Sequence, residues 1–157
     1  MNIGEACSRE VYIFQAAEPL ANAAAEMMKR HIGAVVVVET EPKRVRPVGI
    51  VTDRDIVRGQ LSLNKDLAGL TVGDVMTREP LTVPESCAVE DALGRMRARR
   101  VRRAPVVNAR GDLVGIVSLD DLLPVVADEL RALARLVGSQ ASREGKSAPS
   151  AGSWPGP

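Results

Sequence analysis

The chain contains the segment Val48-Gly49-Ile50-Val51-Thr52-Asp53-Arg54-Asp55-Ile56 and, 66 residues later, the near copy Val114-Gly115-Ile116-Val117-Ser118-Leu119-Asp120-Asp121-Leu122. Each copy begins with a short run rich in Val and Ile, which is typical of a buried strand. Each then has a hydroxyl residue followed three positions later by Asp, which is the pattern of a helix N-terminus. Two strand-to-helix junctions of one design therefore lie in a chain of 157 residues.

The likeness extends upstream of these segments. At an offset of 69, residues 2–38 align without a gap on residues 71–107 and share eight identities in 37 positions. Two unrelated segments of this length and of average composition would share about two or three identities by chance. After Val38 the first copy has three extra residues, which we place at Lys43-Arg44-Val45-Arg46, a predicted hairpin tip where insertions are tolerated. The chain therefore contains two copies of one sequence unit.

Apolar periodicity and turn residues predict the same element order, β-α-β-β-α, in both units. Strands are expected at 11–14, 34–38 and 48–51 and at 81–83, 104–107 and 114–117, with turns at 39–47 and 108–112. The apolar face of the first helix is predicted as Leu20, Ala23, Ala24, Met27 and Met28 in one unit and Val89, Ala92, Leu93 and Met96 in the other. Because about 60 residues with one uncovered sheet face are marginal, the two units should pack sheet against sheet about a pseudo-twofold axis. The fold class is α+β.

The predicted boundaries are repeat 1 at 2–60, a linker at 61–70, repeat 2 at 71–124, a C-terminal helix at 125–138 and a disordered tail at 139–157. Pro124 is expected to kink or restart the helix. The C-terminal helix carries an apolar stripe of Val126, Leu130, Leu133 and Val137. That stripe can pack on its own module or contact a second copy.

Composition excludes several classes of function. The 21 Lys and Arg balance 20 Asp and Glu to a net charge of +1, and 45% of the residues are hydrophobic. Tyr12, Phe14 and Trp154 are the aromatic residues, too few for the base-stacking platforms of single-strand nucleic-acid binders. The core must therefore be aliphatic.

The residues needed for metal or nucleophilic chemistry are scarce. One histidine, His31, and two cysteines, Cys7 and Cys87, cannot build a multi-histidine site or a zinc cluster, so we expect no metal site and no catalytic residues. The cysteines are expected to be free thiols, and His31 is expected to serve at a helix end. Neither a secretory signal nor an apolar run near ~20 residues is found, which favours a cytoplasmic protein without membrane contact.

The two junctions allow two interpretations. Thr52-x-x-Asp55 and Ser118-x-x-Asp121 can be capping boxes, in which the hydroxyl and the carboxylate satisfy free amides. The same junction favours a phosphate at the helix N-terminus, and its carboxylate can accept hydrogen bonds from ribose hydroxyls. The second interpretation predicts a nucleotide site.

The paired Gly-Ile-Val-Thr-Asp-Arg-Asp-Ile and Gly-Ile-Val-Ser-Leu-Asp-Asp-Leu, each after a Val-rich strand and a turn, closely resemble the CBS domain. Val72-Gly73-Asp74-Val75-Met76-Thr77 resembles its usual lead-in, and the resemblance covers about residues 2–124. A tandem CBS pair, or Bateman module, implies two clefts that bind adenosine-containing ligands: AMP, ADP, ATP, S-adenosylmethionine or NAD. The resemblance thus implies regulation and energy sensing rather than catalysis, with no resident cofactor. It does not decide whether Mg²⁺ accompanies the phosphates of a bound nucleotide.

The resemblance also implies site residues. Asp55 and Asp121 match the ribose-binding acid, and Thr52 and Ser118 match the hydroxyl near the phosphate. Base contacts correspond to Ala34, Val35, Ala104 and Pro105, and the segment before the first helix contributes Ile13 and Thr82. We expect a homodimer, as is common for CBS pairs, that signals to another protein.

We expect the positively charged side chains that bind a phosphate to come from different elements in the two copies. Arg54 lies inside the first motif, whereas Arg102 and Arg103 lead into the first long strand of the second copy. We therefore assign Arg103 to the second cleft, where the arginines must offset repulsion from Asp120-Asp121. The two clefts should differ in affinity.

Six arginines lie between positions 95 and 103: Arg95, Arg97, Arg99, Arg100, Arg102 and Arg103. They can form a solvated helix end, bind phosphate in the second cleft, or form a nucleic-acid patch, which the near-zero net charge disfavours. Three functions follow: a ligand-binding regulatory module, a structural dimerisation module with empty clefts, and a nucleic-acid-binding module that uses this cluster.

Overall fold

The computed structural model describes residues 1–144, with side chains described through residue 139. The first repeat contains α1 (Ile3–Ala6), β1 (Ile13–Phe14), α2 (Leu20–Arg30), β2 (Ala34–Glu41), β3 (Arg44–Thr52) and α3 (Asp53–Leu63). After a 3-10 turn at Leu67–Gly69, the second contains α4 (Val72–Val75), β4 (Thr77–Arg78), β5 (Val83–Pro84), α5 (Val89–Arg99), β6 (Arg103–Val107), β7 (Leu113–Ser118) and α6 (Leu119–Glu144). The predicted tandem β-α-β-β-α repeats are confirmed. Met1–Leu122 form one compact unit that holds both repeats, and the chain from Leu123 forms a second unit.

Each repeat builds a sheet of the same design. The strand orders are β1-β2-β3-β4 and β5-β6-β7. In both, the short leading strand runs parallel to the first long strand, and the two long strands form an antiparallel hairpin. Phe14 pairs with Val37, and Val83 pairs with Val106, which are equivalent positions at the offset of 69. The duplicated sequence therefore gives a duplicated register.

The lead-in segment of each repeat pairs with the second long strand of the other repeat. β4, which precedes the second repeat, pairs antiparallel with β3, with Arg78 opposite Gly49. Ser8, in the equivalent place before the first repeat, exchanges two backbone hydrogen bonds of 2.9 Å with Ile116 of β7. The sequence boundaries 2–60 and 71–124 assign each segment to its own repeat, whereas its hydrogen bonds lie with the other.

Two equivalent glycines make this exchange possible. A Cβ atom on Gly115 would lie 2.7 Å from Cys7 Sγ and 2.8 Å from the Ser8 carbonyl oxygen. A Cβ atom on Gly49 would lie 2.6 Å from Met76 Sδ. The glycine in each Val-Gly-Ile-Val strand therefore leaves room for the crossing lead-in segment.

The first hairpin is longer than its sequence predicts. We predict a turn over 39–47, but β2 runs to Glu41 and β3 begins at Arg44, so that the turn is confined to Pro42-Lys43. Arg46 lies 3.6 Å from Glu39 and 3.2 Å from Glu41 in ion pairs that join the two strands. Ion pairs between oppositely charged residues of the two strands thus extend the hairpin into a segment whose composition is typical of a loop.

The three-residue insertion connects the two hairpins. Arg44 donates a hydrogen bond of 3.0 Å to Asp112 Oδ1 and a further one to the Arg110 carbonyl oxygen. The Arg110 guanidinium lies 3.1 Å from the other Asp112 oxygen, but without hydrogen-bond geometry. The hydrogen bond from Arg44 lowers the pKa of the buried Asp112 carboxyl. The insertion is a contact between repeats rather than a free tip.

The core is aliphatic, as the composition requires. One cluster joins Leu20, Ala23, Met27, Val35, Val37, Val51, Ile56, Leu70 and Val72. The second repeat buries Val83, Val89, Ala92, Met96, Ala104, Val106 and Val117. The prediction of Met28 in the apolar face is wrong, since its side chain is 79% exposed.

α6 is one helix from Leu119 to Glu144. Pro124 lies inside this helix, so the helix does not restart there, and it extends past the predicted end at 138. Leu130 and Leu133 are 62% and 59% exposed. Of the predicted disordered tail, residues 139–144 are helical and 145–157 lie outside the described residues. Within the described part, no helix combines the length and apolar character needed to cross a membrane.

Candidate functional site

The junction between β3 and α3 is a complete capping box. The Thr52 hydroxyl accepts a hydrogen bond from the Asp55 N–H at 3.2 Å and donates one to Asp55 Oδ2 at 2.8 Å. The Thr52 N–H also donates to Asp55 Oδ2, at 2.9 Å. The capping interpretation is confirmed here, and the donor of the Thr52 hydroxyl is already used within the chain.

The junction between β7 and α6 repeats this geometry. The Ser118 hydroxyl accepts from the Asp121 N–H at 3.2 Å and donates to Asp121 Oδ2 at 2.7 Å, and the Ser118 N–H donates to the same oxygen at 2.8 Å. In both boxes the two bonds that the carboxylate accepts converge on Oδ2. The cap therefore holds each carboxylate in place and leaves Oδ1 for a further donor.

Asp55 lines a cavity of about 370 Å³ that we call the Thr52 cleft. Its walls combine the junction of the first repeat with the segment between α5 and β6 of the second. They are formed by Ile50, Thr52, Asp53, Arg54, Asp55, Thr77, Arg100, Val101, Arg102 and Arg103. The volume falls within the usual range of small-molecule sites.

Asp121 lines the equivalent cavity, of about 320 Å³, that we call the Ser118 cleft. Its walls are Ser8, Glu10, Val11, Tyr12, His31, Ile32, Gly33, Ala34, Arg103, Ile116, Ser118 and Asp121. Ser8, His31 and Ile32 occupy the places of Thr77, Arg100 and Val101 at the offset of 69. The two clefts are pseudo-symmetric sites with different linings.

Seven of the predicted site residues line the clefts. The Thr52 cleft receives Thr52, Arg54 and Asp55, the Ser118 cleft receives Ala34, Ser118 and Asp121, and Arg103 lines both. The remaining five, Ile13, Val35, Thr82, Ala104 and Pro105, line neither.

The strand geometry explains this difference. Val35, Ala104 and Pro105 are buried within β2 and β6, and the first residue of each strand, Ala34 or Arg103, faces a cleft instead. Successive side chains of a strand point to opposite faces, so Val35 and Ala104 lie on the other face from Ala34 and Arg103. This alternation does not apply to Pro105, which lies two positions from Arg103 and is buried inside β6. Before β1, Val11 and Tyr12 line the Ser118 cleft and Ile13 does not.

The assignment of the arginines to the second motif requires correction. Arg102 lines the Thr52 cleft and not the cleft of Ser118 and Asp121. Arg103 lies between the two clefts, and a Cβ atom on Gly33 would approach its Nη2 to 3.1 Å. Each cleft is formed by the strand-to-helix junction of one repeat and by the residues that precede the first long strand of the other repeat. The sequence of a single repeat does not reveal this pairing.

Several lining residues are not among the predicted site residues, although the repeat offset relates those of one cleft to those of the other. His31 and Arg100 end α2 and α5 in left-handed conformations, with φ of 54° at both, so each serves as a helix cap and as a cleft wall. Tyr12 donates a hydrogen bond to Glu10, which raises the pKa of the tyrosine. Its ring lies 5.2 Å below the Arg30 guanidinium.

Among the described residues, no group of three or more His, Cys, Asp and Glu side chains has the arrangement of a metal site. Cys7 and Cys87 are free, half-buried thiols, and burial raises the pKa of Cys7.

The sequence matches a known family twice. The family model for the CBS domain covers residues 3–62 and 72–128. An uncharacterised protein of Methanopyrus kandleri is 33% identical over 125 residues, which is 80% of this chain and 62% of that protein. The chain thus spans less than two thirds of that relative's length.

Solved structures share the fold. A CBS domain protein of Pyrobaculum aerophilum, solved in complex with AMP, is 28% identical and superposes with a TM-score of 0.70 over 78% of this chain and 91% of the other. The CBS domain pair of protein MJ0100, solved in complex with 5′-methylthioadenosine and S-adenosylmethionine, is 25% identical, with a TM-score of 0.69 over 80% and 99% of the two chains. With two family matches that cover both repeats, the chain belongs to the CBS domain family as a tandem pair.

Proposed function

We propose that this CBS pair is a regulatory module that binds adenosine-containing ligands in the Thr52 and Ser118 clefts. The observation that carries the proposal is the pair of capped aspartates, Asp55 and Asp121, whose Oδ2 atoms serve the fold while Oδ1 is left for a ligand. The complexes of two relatives with AMP and with S-adenosylmethionine support this ligand class.

The linings suit the three parts of such a ligand. A carboxylate oxygen can accept hydrogen bonds from the ribose hydroxyls, as in dinucleotide sites. Ile50 and Val101 in one cleft, and Ile116 and Ile32 in the other, offer apolar surface to the adenine ring. The arginines offer bidentate donors to phosphate oxygens.

Ligand binding becomes a signal only if two states of the module differ in affinity. Both clefts are lined by residues of both repeats, so a bound ligand bridges the repeats and favours one arrangement of them. We assign the module no catalytic step, and propose that a homodimer in the cytoplasm passes ligand occupancy to another protein.

Thermal unfolding with AMP, ADP, ATP, NAD and S-adenosylmethionine tests the proposal. A ligand at 100 times its Kd should add about 2.7 kcal/mol to the free energy of unfolding. The shift should be lost in Asp55→Ala or Asp121→Ala. Asp74→Ala is the matched control, because Asp74 accepts a hydrogen bond of 2.8 Å from the Thr71 N–H at the start of α4 but lines neither cleft.

The outcomes separate a ligand site from a cap. Loss of capping alone lowers the stability of all three variants and leaves any ligand shift intact. If no ligand moves the midpoint of the wild-type protein, the motifs act only as helix caps and the proposed function is wrong.

A further inference from the structure

The two clefts differ in charge. The Thr52 cleft has four arginines, Arg54, Arg100, Arg102 and Arg103, against two aspartates. The Ser118 cleft has one arginine, Arg103, against Glu10 and Asp121, and it also contains His31. Arginines therefore outnumber carboxylates in the first cleft, and carboxylates outnumber arginines in the second.

The difference arises at the positions that the duplication makes equivalent. Arg100, Arg102 and Arg103 correspond to His31, Gly33 and Ala34 at the offset of 69, and Arg54 corresponds to Asp120 at the offset of 66. None of these four counterparts carries a guanidinium group. A symmetric backbone thus presents a cationic wall on one side only.

Most of these arginines are not committed to the fold. Within residues 1–139, Arg54, Arg100 and Arg103 form no salt bridge. Arg102 lies 3.7 Å from Asp120, with both side chains exposed, which makes this ion pair weak. The neighbouring carboxylates are engaged, since Asp53 accepts from the Arg54 N–H at 2.8 Å and Asp55 closes its capping box.

We propose that the Thr52 cleft selects nucleotides with two or three phosphates, and that the Ser118 cleft selects adenosyl ligands with little negative charge. This inference rests on the proposed function and specifies its ligand classes. Guanidinium groups from three elements, α3, the end of α5 and the start of β6, surround one cavity, and each can pair with phosphate oxygens in a bidentate manner. Glu10 and Asp121 repel additional phosphates in the other cleft.

Isothermal titration calorimetry in an Asp121→Ala background isolates the Thr52 cleft. The ligands are adenosine, AMP, ADP and ATP, each with and without Mg²⁺, and inorganic tripolyphosphate probes the anion site alone. We expect affinity to rise from adenosine to ATP. In Arg100→Gln/Arg102→Gln, the affinity for ATP should fall on the order of tenfold to a hundredfold, while that for adenosine changes little.

A matched variant keeps the change of charge constant. Arg95→Gln/Arg99→Gln removes two arginines from the same helix, α5, and neither residue lines a cleft. It should leave the ratio of ATP to adenosine affinity unchanged. Circular dichroism and thermal unfolding without ligand check that both variants fold.

Three results would overturn the inference. The first is equal affinity for adenosine and ATP with both lost in Asp55→Ala, which leaves the proposed function intact. The second is an equal loss of ATP affinity in both double arginine variants, which indicates a diffuse cationic surface. The third is the absence of binding by adenosine and every nucleotide, which refutes the proposed function as well.

Discussion

Substitution of Gly115 by Ala tests the exchange of lead-in segments. The new Cβ atom would lie 2.8 Å from the Ser8 carbonyl oxygen and 2.7 Å from Cys7 Sγ. The Ser8 oxygen cannot move freely, because it accepts a hydrogen bond of 2.9 Å from the Ile116 N–H. Such overpacking costs about 1–3 kcal/mol, which lowers Tm by roughly 3–10 °C in a protein of this size.

Two other glycines serve as controls. Gly49→Ala should cost less, because the nearest atom is Met76 Sδ at 2.6 Å, near the end of a flexible side chain. Gly94→Ala should stabilise the protein by about 0.5–1 kcal/mol, since Gly94 lies inside α5 with nothing within 4 Å of its Cβ position. Urea denaturation and thermal unfolding of the three variants measure these differences.

The predicted order of stability of the glycine variants can be refuted. If Gly115→Ala unfolds at the wild-type midpoint, or Gly49→Ala is the less stable of the pair, the crossing segments do not constrain the strands as we describe. Cys7→Ala/Gly115→Ala removes the sulfur contact but keeps the Ser8 oxygen. Its stability should therefore stay below that of Cys7→Ala alone.

Other predictions concern caps, charge and burial. Thr52→Ala should lower the free energy of unfolding by about 1 kcal/mol in urea denaturation, because it removes the cap of α3; no loss would contradict the observed capping box. Arg44 lowers the pKa of Asp112, so this stabilisation exists above the ordinary carboxyl pKa of about 3.9 and is lost as the pH falls through the folded value. The stability difference between wild type and Arg44→Gln, followed by denaturation across pH, should shrink in acid, and a constant difference would refute the link. Met27→Ala should cost about 2–5 kcal/mol, whereas Met28→Ala should change thermal stability by less than about 0.5 kcal/mol because Met28 is 79% exposed; similar losses would contradict the orientation of α2.

Features that depend on neighbours along the chain are predictable from the sequence. The spacing of Thr52 and Asp55 predicts the capping box because both partners lie within one helical turn. The duplication predicts two equivalent junctions, and the structure contains both. The length of the first hairpin is not predictable from a local window, because Arg46 and its two glutamates form ion pairs across the two strands.

Contacts between repeats were beyond the same reasoning. Arg102 precedes β6 of the second repeat, and within that repeat nothing indicates that it lines a cleft with Thr52 of the first. The pairing follows from the crossing of the lead-in segments, which depends on the fit of Gly49 and Gly115 to chain segments far away in sequence. Val35 and Ala104 lie one position beyond the lining residues Ala34 and Arg103, and in a strand one position reverses the face.

In the two clefts, the duplicated residues serve the fold, whereas two of the divergent arginines make no ion pair with it. Asp55 and Asp121 each use Oδ2 to cap a helix, so loss of either carboxylate carries a stability cost, and the cap keeps Oδ1 available in both clefts. Arg54 and Arg100 form no salt bridge within residues 1–139, so their replacement in the other repeat by Asp120 and His31 removes no ion pair of the fold. Substitution of these arginines can therefore change the charge of one cleft without removing an ion pair of the scaffold. This separation explains how a symmetric fold can present two clefts with the same capped aspartate and different numbers of arginines.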